Sequence, residues 1–181
     1  MMRIEWRTDC RNYGMIIEKS PWEAIRAECA KSINQETGGI LIGYYSNNNQ
    51  TAIVCEATPP PNDSQKGRNW FWRGVTGLRS LLLDRWNENR KTYYIGEWHY
   101  HPAQVIEPST TDLKQMIGIS KSKRYYCSEP ILIIIGRGSK AETPARAFVF
   151  PNGQERLELF WGQKDQYSIS EINVGGNNTN F

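Results

Sequence analysis

The only two histidines of this 181-residue chain, His99 and His101, stand one residue apart, and Asp112 follows further on. Two imidazoles and a carboxylate are the three protein ligands that a catalytic zinc needs, with the fourth tetrahedral position left to water. If residues 94–101 form a strand, the alternation of side chains places both histidines on one face. Pro102 ends the strand, because it has no N–H for a ladder hydrogen bond. The pattern predicts a metal site at the end of a strand.

A helix is predicted shortly after this strand. Ser109 is a suitable N-cap for a helix that begins Thr-Thr-Asp and carries Leu113, Met116 and Ile117 on one face. Asp112 then lies in the first turn, from which it can face back towards the strand end. A single histidine is more often a surface or core residue than a ligand. The pair of histidines, followed by Pro and by Ser-x-x-Asp, favours the metal interpretation.

These residues resemble the signature of the JAMM metalloproteases, also called MPN+ or JAB domains. That signature is His-x-His-Pro, six further residues and Ser-x-x-Asp, and residues 99–112 match it. Upstream, residues 36–43 (Glu-Thr-Gly-Gly-Ile-Leu-Ile-Gly) resemble the glutamate segment of the family. The sequence Gly-Glu-Trp-His-Tyr-His-Pro is closest to the prokaryotic JAB branch and is similar to the deconjugating peptidases of bacterial CBASS antiphage operons. The resemblance covers residues 22–150.

The resemblance implies an α/β fold: a single MPN/JAB domain with a mixed, curved β-sheet and helices on both faces, similar to cytidine deaminases. We assign residues 1–167 to this domain, and residues 168–181, which are polar, to a flexible C-terminal tail. A length of 181 residues agrees with one domain that buries its own core.

The ligand set and the resemblance together imply a mechanism. One zinc ion per chain, held by His99, His101 and Asp112, would lower the pKa of water to about 7. Glu36 would act as general base and then pass the proton to the leaving amine as general acid. Ser109 would either only cap its helix or also donate a hydrogen bond to the oxyanion of the tetrahedral intermediate, as its counterpart in the family does.

Two further groups of residues are candidates for binding the substrate. Gly38 and Gly39 either only cap the preceding helix or let the backbone pass close to a substrate. In the family, an insertion helps to hold the extended tail of the substrate, and Trp70, Phe71 and Trp72 would do so here by adding a strand. Alternatively, Trp70 and Trp72 share a strand face and pack, and the packing interpretation is favoured for any single residue.

Hydrophobic periodicity predicts the other elements. Ser20 is expected to cap the first helix, with Glu23 completing a capping box. Trp98 is expected to pack on the face opposite His99, and Glu97 to be structural or solvated, so neither is assigned to the site. Helices are predicted over residues 20–35 and 75–89, and strands over residues 4–7, 13–18, 40–45, 51–57, 131–135, 145–150 and 157–161. The strand at 131–135 is continuously apolar and is expected to be covered on both faces. The second helix is expected to carry an apolar stripe of Val75, Leu78, Leu82 and Trp86.

Composition argues against several classes of protein. The net charge of +3 is too small to indicate nucleic acid binding. No apolar run approaches the roughly 20 residues of a membrane span, and the N-terminus has no apolar signal segment, so a cytoplasmic protein is expected. The four cysteines are scattered without a Cys-x-x-Cys pair, and free thiols are expected.

Three classes of function remain. The first is a zinc isopeptidase or peptidase that cleaves after the C-terminal tail of a ubiquitin-like or conjugated protein. In the CBASS-like interpretation this protein is a nucleotidyltransferase, and ubiquitin-activating-like and conjugating-like enzymes are companions. The second is the RadC-like branch of the fold, linked to DNA repair, although Glu-Thr-Gly-Gly at 36–39 and the low charge favour the deconjugase. The third is a non-catalytic MPN scaffold, which typically lacks a ligand, whereas this chain lacks none.

Overall fold

The computed structural model describes residues 3–162 except 47–49, 103–104 and 140–141. The predicted tail, 168–181, lies outside the described residues, and the domain boundary at residue 167 stays a prediction. In chain order the elements are β1 (Arg3–Arg7), β2 (Gly14–Glu18), α1 (Lys19–Lys31), β3 (Thr37–Tyr45), β4 (Thr51–Ala57), β5 (Gln65–Lys66), β6 (Phe71–Trp72), α2 (Leu78–Asn87), β7 (Tyr93–His101), α3 (Thr110–Lys121), β8 (Ile131–Gly136), β9 (Ala145–Val149), a short 3-10 turn (Pro151–Gly153) and β10 (Leu157–Trp161).

Eight of these strands close into a barrel in the order β1, β10, β9, β8, β7, β3, β4, β2. β2 pairs with β4, and β7 with β8, in parallel, whereas the other neighbours are antiparallel. The predicted mixed, curved sheet is confirmed. Its closure was not predicted, and it leaves these strands without an exposed edge. β5 and β6 form a separate two-stranded hairpin.

The barrel sheet separates two apolar clusters, so the prediction of helices on both faces is confirmed. One cluster joins Ile25 of α1 to strand residues that include Trp98. The other cluster joins Met116 of α3 to strand residues whose side chains point to the opposite face of the sheet, such as Ile134. Leu78 of α2 packs against this second cluster. The strand that carries both histidines lies between these two clusters.

The continuous apolar run of β8 supports that strand. Every residue of β8 is buried, as predicted for a strand covered on both faces. β8 pairs in parallel with β7, and the register places Ile134 beside His99 and Gly136 beside His101. The end of β7 is therefore held by β8 on one side and by β3 on the other.

The first helix differs from its prediction at both ends. The helix begins at Lys19, directly after β2, with Glu18 in the capping position and no side-chain cap. The prediction of Ser20 as the N-cap was therefore wrong, because Ser20 is already helical. The helix also ends at Lys31, four residues before the predicted end.

The second helix is shorter than predicted, and none of its residues is buried. It spans Leu78–Asn87 and follows Gly77, whose φ of 81° is left-handed and suits glycine. The ends of its predicted apolar stripe are exposed, since Val75 is 68% and Trp86 is 48% accessible, whereas Leu78 and Leu82 pack against the core. All four cysteines are free, as predicted. Among the described residues, no helix has both the length and the apolar character needed to cross a membrane.

Candidate metal centre

The end of β7 presents both histidines on one side of the sheet. Trp98 and Tyr100, which alternate with His99 and His101, belong to the apolar cluster on the other side. The predicted alternation and the packing role of Trp98 are therefore confirmed, and the indole N–H of Trp98 donates to the carbonyl of Thr58 at 3.0 Å. His99 is buried, whereas His101 is partly accessible.

A bulge at Gly96 sets the orientation of this strand end. The register with β3 shifts between Leu41 and Ile42, and Gly96 has a φ of 154°. A Cβ at Gly96 would lie 2.0 Å from the carbonyl oxygen of Ile131, so only glycine fits. After the bulge, residues 97, 99 and 101 share the face that carries the site.

Asp112 reaches the histidines from the first turn of α3. Ser109 is the N-cap, as predicted, and its Oγ accepts from the Asp112 N–H at 3.2 Å. In return, Asp112 Oδ2 accepts from the Ser109 N–H at 2.7 Å, which completes a capping box. These two bonds fix the Asp112 carboxylate at the helix start, facing the strand end.

The three predicted ligands form a compact cluster. Asp112 Oδ1 lies 2.9 Å from His99 Nδ1, and Asp112 Oδ2 lies 3.9 Å from His101 Nε2. A tetrahedral zinc with bonds of about 2.1 Å separates its ligand atoms by about 3.4 Å. One potential ligand atom from each residue lies within 4.8 Å of the other two. The donor set and its spacing therefore fit a metal ion.

The charges of the cluster agree with this fit. Burial disfavours the charged form of His99, but its contacts with Asp112 and a second carboxylate raise its pKa to about 9. Burial likewise opposes ionisation of Asp112, yet hydrogen bonds with His99 and Ser109 lower its pKa to about 2. The 2.9 Å contact between His99 Nδ1 and Asp112 Oδ1 has the length of a hydrogen bond, and metal binding would replace its hydrogen with a cation.

Glu36 directly precedes β3, beside the same strand end. The next residue, Thr37, pairs with Tyr100, and the main-chain N–H of Glu36 donates to the carbonyl of Gly67 at 2.8 Å. Glu36 is partly buried, and its pKa is raised to about 7, first by burial and then by the negative charge of Asp112. A carboxyl group with this pKa can both accept and return a proton at neutral pH.

Gly38 and Gly39 lie inside β3, so the interpretation of these residues as helix caps was wrong. Gly38 pairs with His99, and a Cβ on Gly38 would lie 2.4 Å from the Trp98 carbonyl oxygen and 2.9 Å from the Phe71 ring. Glycine is needed here because β7 and Phe71 approach the backbone closely. Contact of either glycine with a substrate stays a prediction.

The hairpin of β5 and β6 stands beside the metal cluster. Phe71 meets the His99 ring edge-on, with the ring centroids 5.8 Å apart. Trp70 and Trp72 are 50% and 69% accessible, so the interpretation that both pack into the core was wrong. Their role in binding a substrate stays a prediction.

Glu97 is a residue of the site that the sequence analysis missed. It is fully buried and close to His99, which excludes the solvated alternative. Burial raises its pKa, but the hydrogen bond with His99 and the charge of Arg73 outweigh burial and lower the pKa to about 2. The even spacing of residues 97, 99 and 101 on one strand is the signal in the sequence that points to this contact.

Comparisons with known proteins show the family. Residues 18–150 match the family model described as prokaryotic homologs of the JAB domain. A protein of Enterobacter hormaechei named CD-NTase/cGAS isopeptidase is 44% identical over 147 residues, 81% of this chain and 81% of that protein. A protein of Pseudomonas aeruginosa with the same name is 29% identical, with 74% of this chain and 84% of that protein covered.

Two further matches are more distant. A protein of Sinorhizobium fredii named probable metalloprotease y4qB is 28% identical, with 71% of this chain and 79% of that protein covered. A solution structure of a protein from Desulfitobacterium hafniense superposes with a TM-score of 0.55 at 19% identity, covering 78% of this chain and 87% of that one. The latter likeness concerns the fold alone.

Proposed function

Because the chain belongs to the family of prokaryotic JAB-domain proteins, we propose that it is a zinc-dependent JAMM isopeptidase or peptidase. The bond that it hydrolyses is the amide after the C-terminal tail of a ubiquitin-like or conjugated protein. The observation that carries this proposal is the buried cluster of His99, His101 and Asp112 with Glu36 beside it.

In the proposed mechanism, His99, His101 and Asp112 would hold one zinc ion. When bound, zinc supplies a charge that polarises the scissile carbonyl and lowers the pKa of water to about 7. The Glu36 carboxylate takes a proton from the attacking water and then gives it to the nitrogen of the leaving amine. The main-chain hydrogen bond from the Glu36 N–H to the Gly67 carbonyl supports this role, because it fixes the backbone of the general base against the hairpin beside the metal cluster.

Ser109 is proposed to stabilise the oxyanion of the tetrahedral intermediate. Its Oγ already accepts a hydrogen bond from the Asp112 N–H, which uses a lone pair and leaves the hydroxyl hydrogen available to donate. Ser109 is exposed at the N-terminus of α3, where the helix dipole also favours negative charge. Capping and oxyanion binding are therefore compatible functions of this one hydroxyl group.

The hairpin is proposed to bind the tail of the substrate. Trp70 and Trp72 are exposed. They lie between Gly67, whose carbonyl accepts from the Glu36 N–H, and the partly buried Arg73. Gly38 lies between Phe71 of the hairpin and His99 of β7, and Gly39 follows it in β3, paired with Trp98. An extended tail laid along β6 would gain main-chain hydrogen bonds, and the indole rings would contact its side chains.

A groove beside the hairpin supports a protein rather than a peptide substrate. It has a volume of about 950 Å³ and lies between α2 and the segment that contains Tyr125 and Tyr126. Val75 and Leu83 in this groove are 68% and 52% accessible, and contiguous exposed apolar surface of this kind marks interaction sites. Because Arg73 both lines the groove and follows β6, we assign the groove to the folded part of the protein whose tail lies on the hairpin.

The relatives named CD-NTase/cGAS isopeptidase support a more specific substrate. We propose that the conjugate is a CBASS nucleotidyltransferase linked through its C-terminus to a target, and that the enzyme reverses this conjugation in antiphage defence. Ubiquitin-activating-like and conjugating-like enzymes would then be its companions.

Cleavage of a defined conjugate tests the proposal. A nucleotidyltransferase tail joined by its C-terminal carboxyl group to a lysine of a carrier protein is incubated with the purified enzyme, and the released carrier is measured by mass spectrometry. We expect release with zinc, no release after chelation, and none with Glu36→Gln. Zinc binding without release from any such conjugate would favour a non-catalytic scaffold instead.

A further inference from the structure

Glu97 is a fully buried carboxylate to which the proposed mechanism gives no role. Its oxygens accept hydrogen bonds from Arg73 at 2.9 Å, from Gln115 at 3.0 Å to each oxygen, and from Tyr94 at 3.3 Å. Burying an ion is unfavourable unless its charge is paired and its lone pairs are satisfied, and Glu97 meets both conditions. A network of this kind holds the carboxylate in one position.

The remaining contact of Glu97 is with His99. His99 Nε2 lies 3.3 Å from Glu97 Oε2, whereas Nδ1 of the same ring faces Asp112 Oδ1 at 2.9 Å. An ionised carboxylate only accepts hydrogen bonds, so without a metal each ring nitrogen donates to the carboxylate that it faces. A metal ion at Nδ1 would take the place of the hydrogen there, and the hydrogen left on Nε2 would be held by Glu97.

We propose that Glu97 is a positioning residue that fixes the tautomer and the ring orientation of His99, so that Nδ1 is the metal-binding atom. A carboxylate hydrogen-bonded to the second nitrogen of a ligating histidine also increases the basicity of the first. His101 is held differently, since its Nε2 faces Asp112 Oδ2 at 3.9 Å. Loss of Glu97 should therefore change one of the two histidines and leave the other.

The network also joins the hairpin to the metal site. Arg73 directly follows β6, and its guanidinium is the charge partner of Glu97. Phe71, within β6, contacts the edge of the His99 ring. Glu97 and Phe71 therefore contact the His99 imidazole from different sides. Arg73 links these two residues, because its side chain binds Glu97 and its main chain directly follows β6, which contains Phe71.

Zinc affinity, measured by competition with a chelator, tests this inference, which rests on the proposed metal site. Glu97→Gln keeps the shape of the side chain and removes its charge, and we expect zinc to bind about 10- to 100-fold more weakly. Gln115→Ala removes two hydrogen bonds to Glu97 from the surface of α3, and we expect a loss of about two- to tenfold. Lys114→Ala, a change at the exposed neighbouring position, serves as the matched control and should leave the affinity unchanged.

Nitrogen-15 spectra of the imidazoles supply a readout that a purely structural role would not change. His99 and His101 are the only histidines of the chain, so two ring systems are observed. With zinc bound, we expect one ring to be bound through Nδ1 with hydrogen on Nε2. In Glu97→Gln the nitrogen shifts of this ring should change while those of the other ring stay the same.

The outcomes separate this inference from the proposed function. Coordination of both rings through Nε2, or a Glu97→Gln variant that binds zinc within twofold of the wild type with unchanged shifts, overturns the role of Glu97 alone. A wild-type chain that binds no zinc overturns the proposed function and this inference together. If Glu97→Gln fails to fold because Arg73 is left unpaired, the double variant Glu97→Gln with Arg73→Gln and the variant Gln115→Ala give the same two readouts.

Discussion

The metal cluster and the hairpin with its adjoining groove are neighbours that differ in how they are held. Around the cluster, His99, Glu97 and Asp112 are buried, and His99 contacts both carboxylates. In the neighbouring region, Trp72 is 69% accessible and α2 has no buried residue. The first region acquires its geometry from the folding of the core. The second retains exposed apolar area, which is the property of a surface that binds a partner.

Two tryptophans, one in each region, illustrate this difference in burial. Trp98 is fully buried, and its indole N–H is paired with a main-chain carbonyl, whereas Trp72 is mostly exposed on β6. Trp98 therefore contributes to the free energy of unfolding, whereas Trp72 is available for contact with another molecule. The comparison therefore separates residues that hold the site from residues that select what reaches it.

The largest effect is expected from removal of a ligand. His99→Ala, His101→Ala or Asp112→Ala should each abolish zinc binding at micromolar zinc and abolish cleavage, because a site with three protein ligands has no spare ligand. Metal content is measured by mass spectrometry beside activity. One equivalent of zinc retained by the His99→Ala, His101→Ala double variant would contradict the assignment.

The next largest effect concerns Glu36. Glu36→Gln should lower turnover by about 10²- to 10⁴-fold while zinc stoichiometry is unchanged, because the carboxylate moves a proton and is not a ligand. Single-turnover kinetics and metal analysis of the same preparation measure both quantities. If the variant loses its zinc, Glu36 belongs to the ligand set and the proposed roles are wrong.

Replacement of Trp98 and replacement of Trp72 are expected to change the stability of the protein by different amounts. Trp98→Ala should lower the free energy of unfolding by about 3–5 kcal/mol, since it empties a buried site. Trp72→Ala should change it by no more than about 0.5 kcal/mol, as is usual for an exposed position. Denaturant titrations of the two variants measure the difference. Equal losses would show that the hairpin is part of the core and would remove the distinction between the two regions.

A smaller effect on kinetics is expected from the hairpin. Replacing Trp70 and Trp72 together with Ala should lower kcat/KM for a protein conjugate by about tenfold, mainly through KM, with zinc content unchanged. Leu113→Ala on α3, a change outside the hairpin, is the control for general loss of packing. An unchanged kcat/KM for the double variant would show that the tail binds elsewhere.

The smallest effect is a pH dependence of stability in the metal-free protein. Folding raises the pKa of Glu36 from its ordinary value of 4.5 to about 7. The stability that this group contributes is therefore fully present below pH 4.5 and is lost as pH rises through 7. Relative to Glu36→Gln, the wild type should lose about 1 kcal/mol or less between pH 5 and pH 8, because the side chain is partly screened by solvent. Thermal melts with chelator at both pH values measure this difference, and a wild type that instead gains stability over this range would contradict the raised pKa.

The ligand set could be predicted from the sequence because each part depends on local chemistry. The alternation of a strand is enough to place His99 and His101 on one face, and Ser109 with Asp112 is a capping pattern that needs only neighbouring residues. The buried β8 was predicted for a similar reason, since a continuous apolar run is stable only when both faces are covered.

Only the tertiary structure decided which residues support these ligands. Arg73 and Gln115 donate hydrogen bonds to Glu97 although both are far from it in the sequence, so no local pattern predicts these contacts. Glycine is required at position 38 because β7 and the hairpin approach its backbone closely. The exposure of Trp72 likewise depends on which other segments pack against the hairpin. By itself, the sequence determined which atoms can bind a metal, because ligand chemistry and short-range periodicity are local. The fold decided how those atoms are oriented, because orientation arises from contacts between segments that are far apart in the chain.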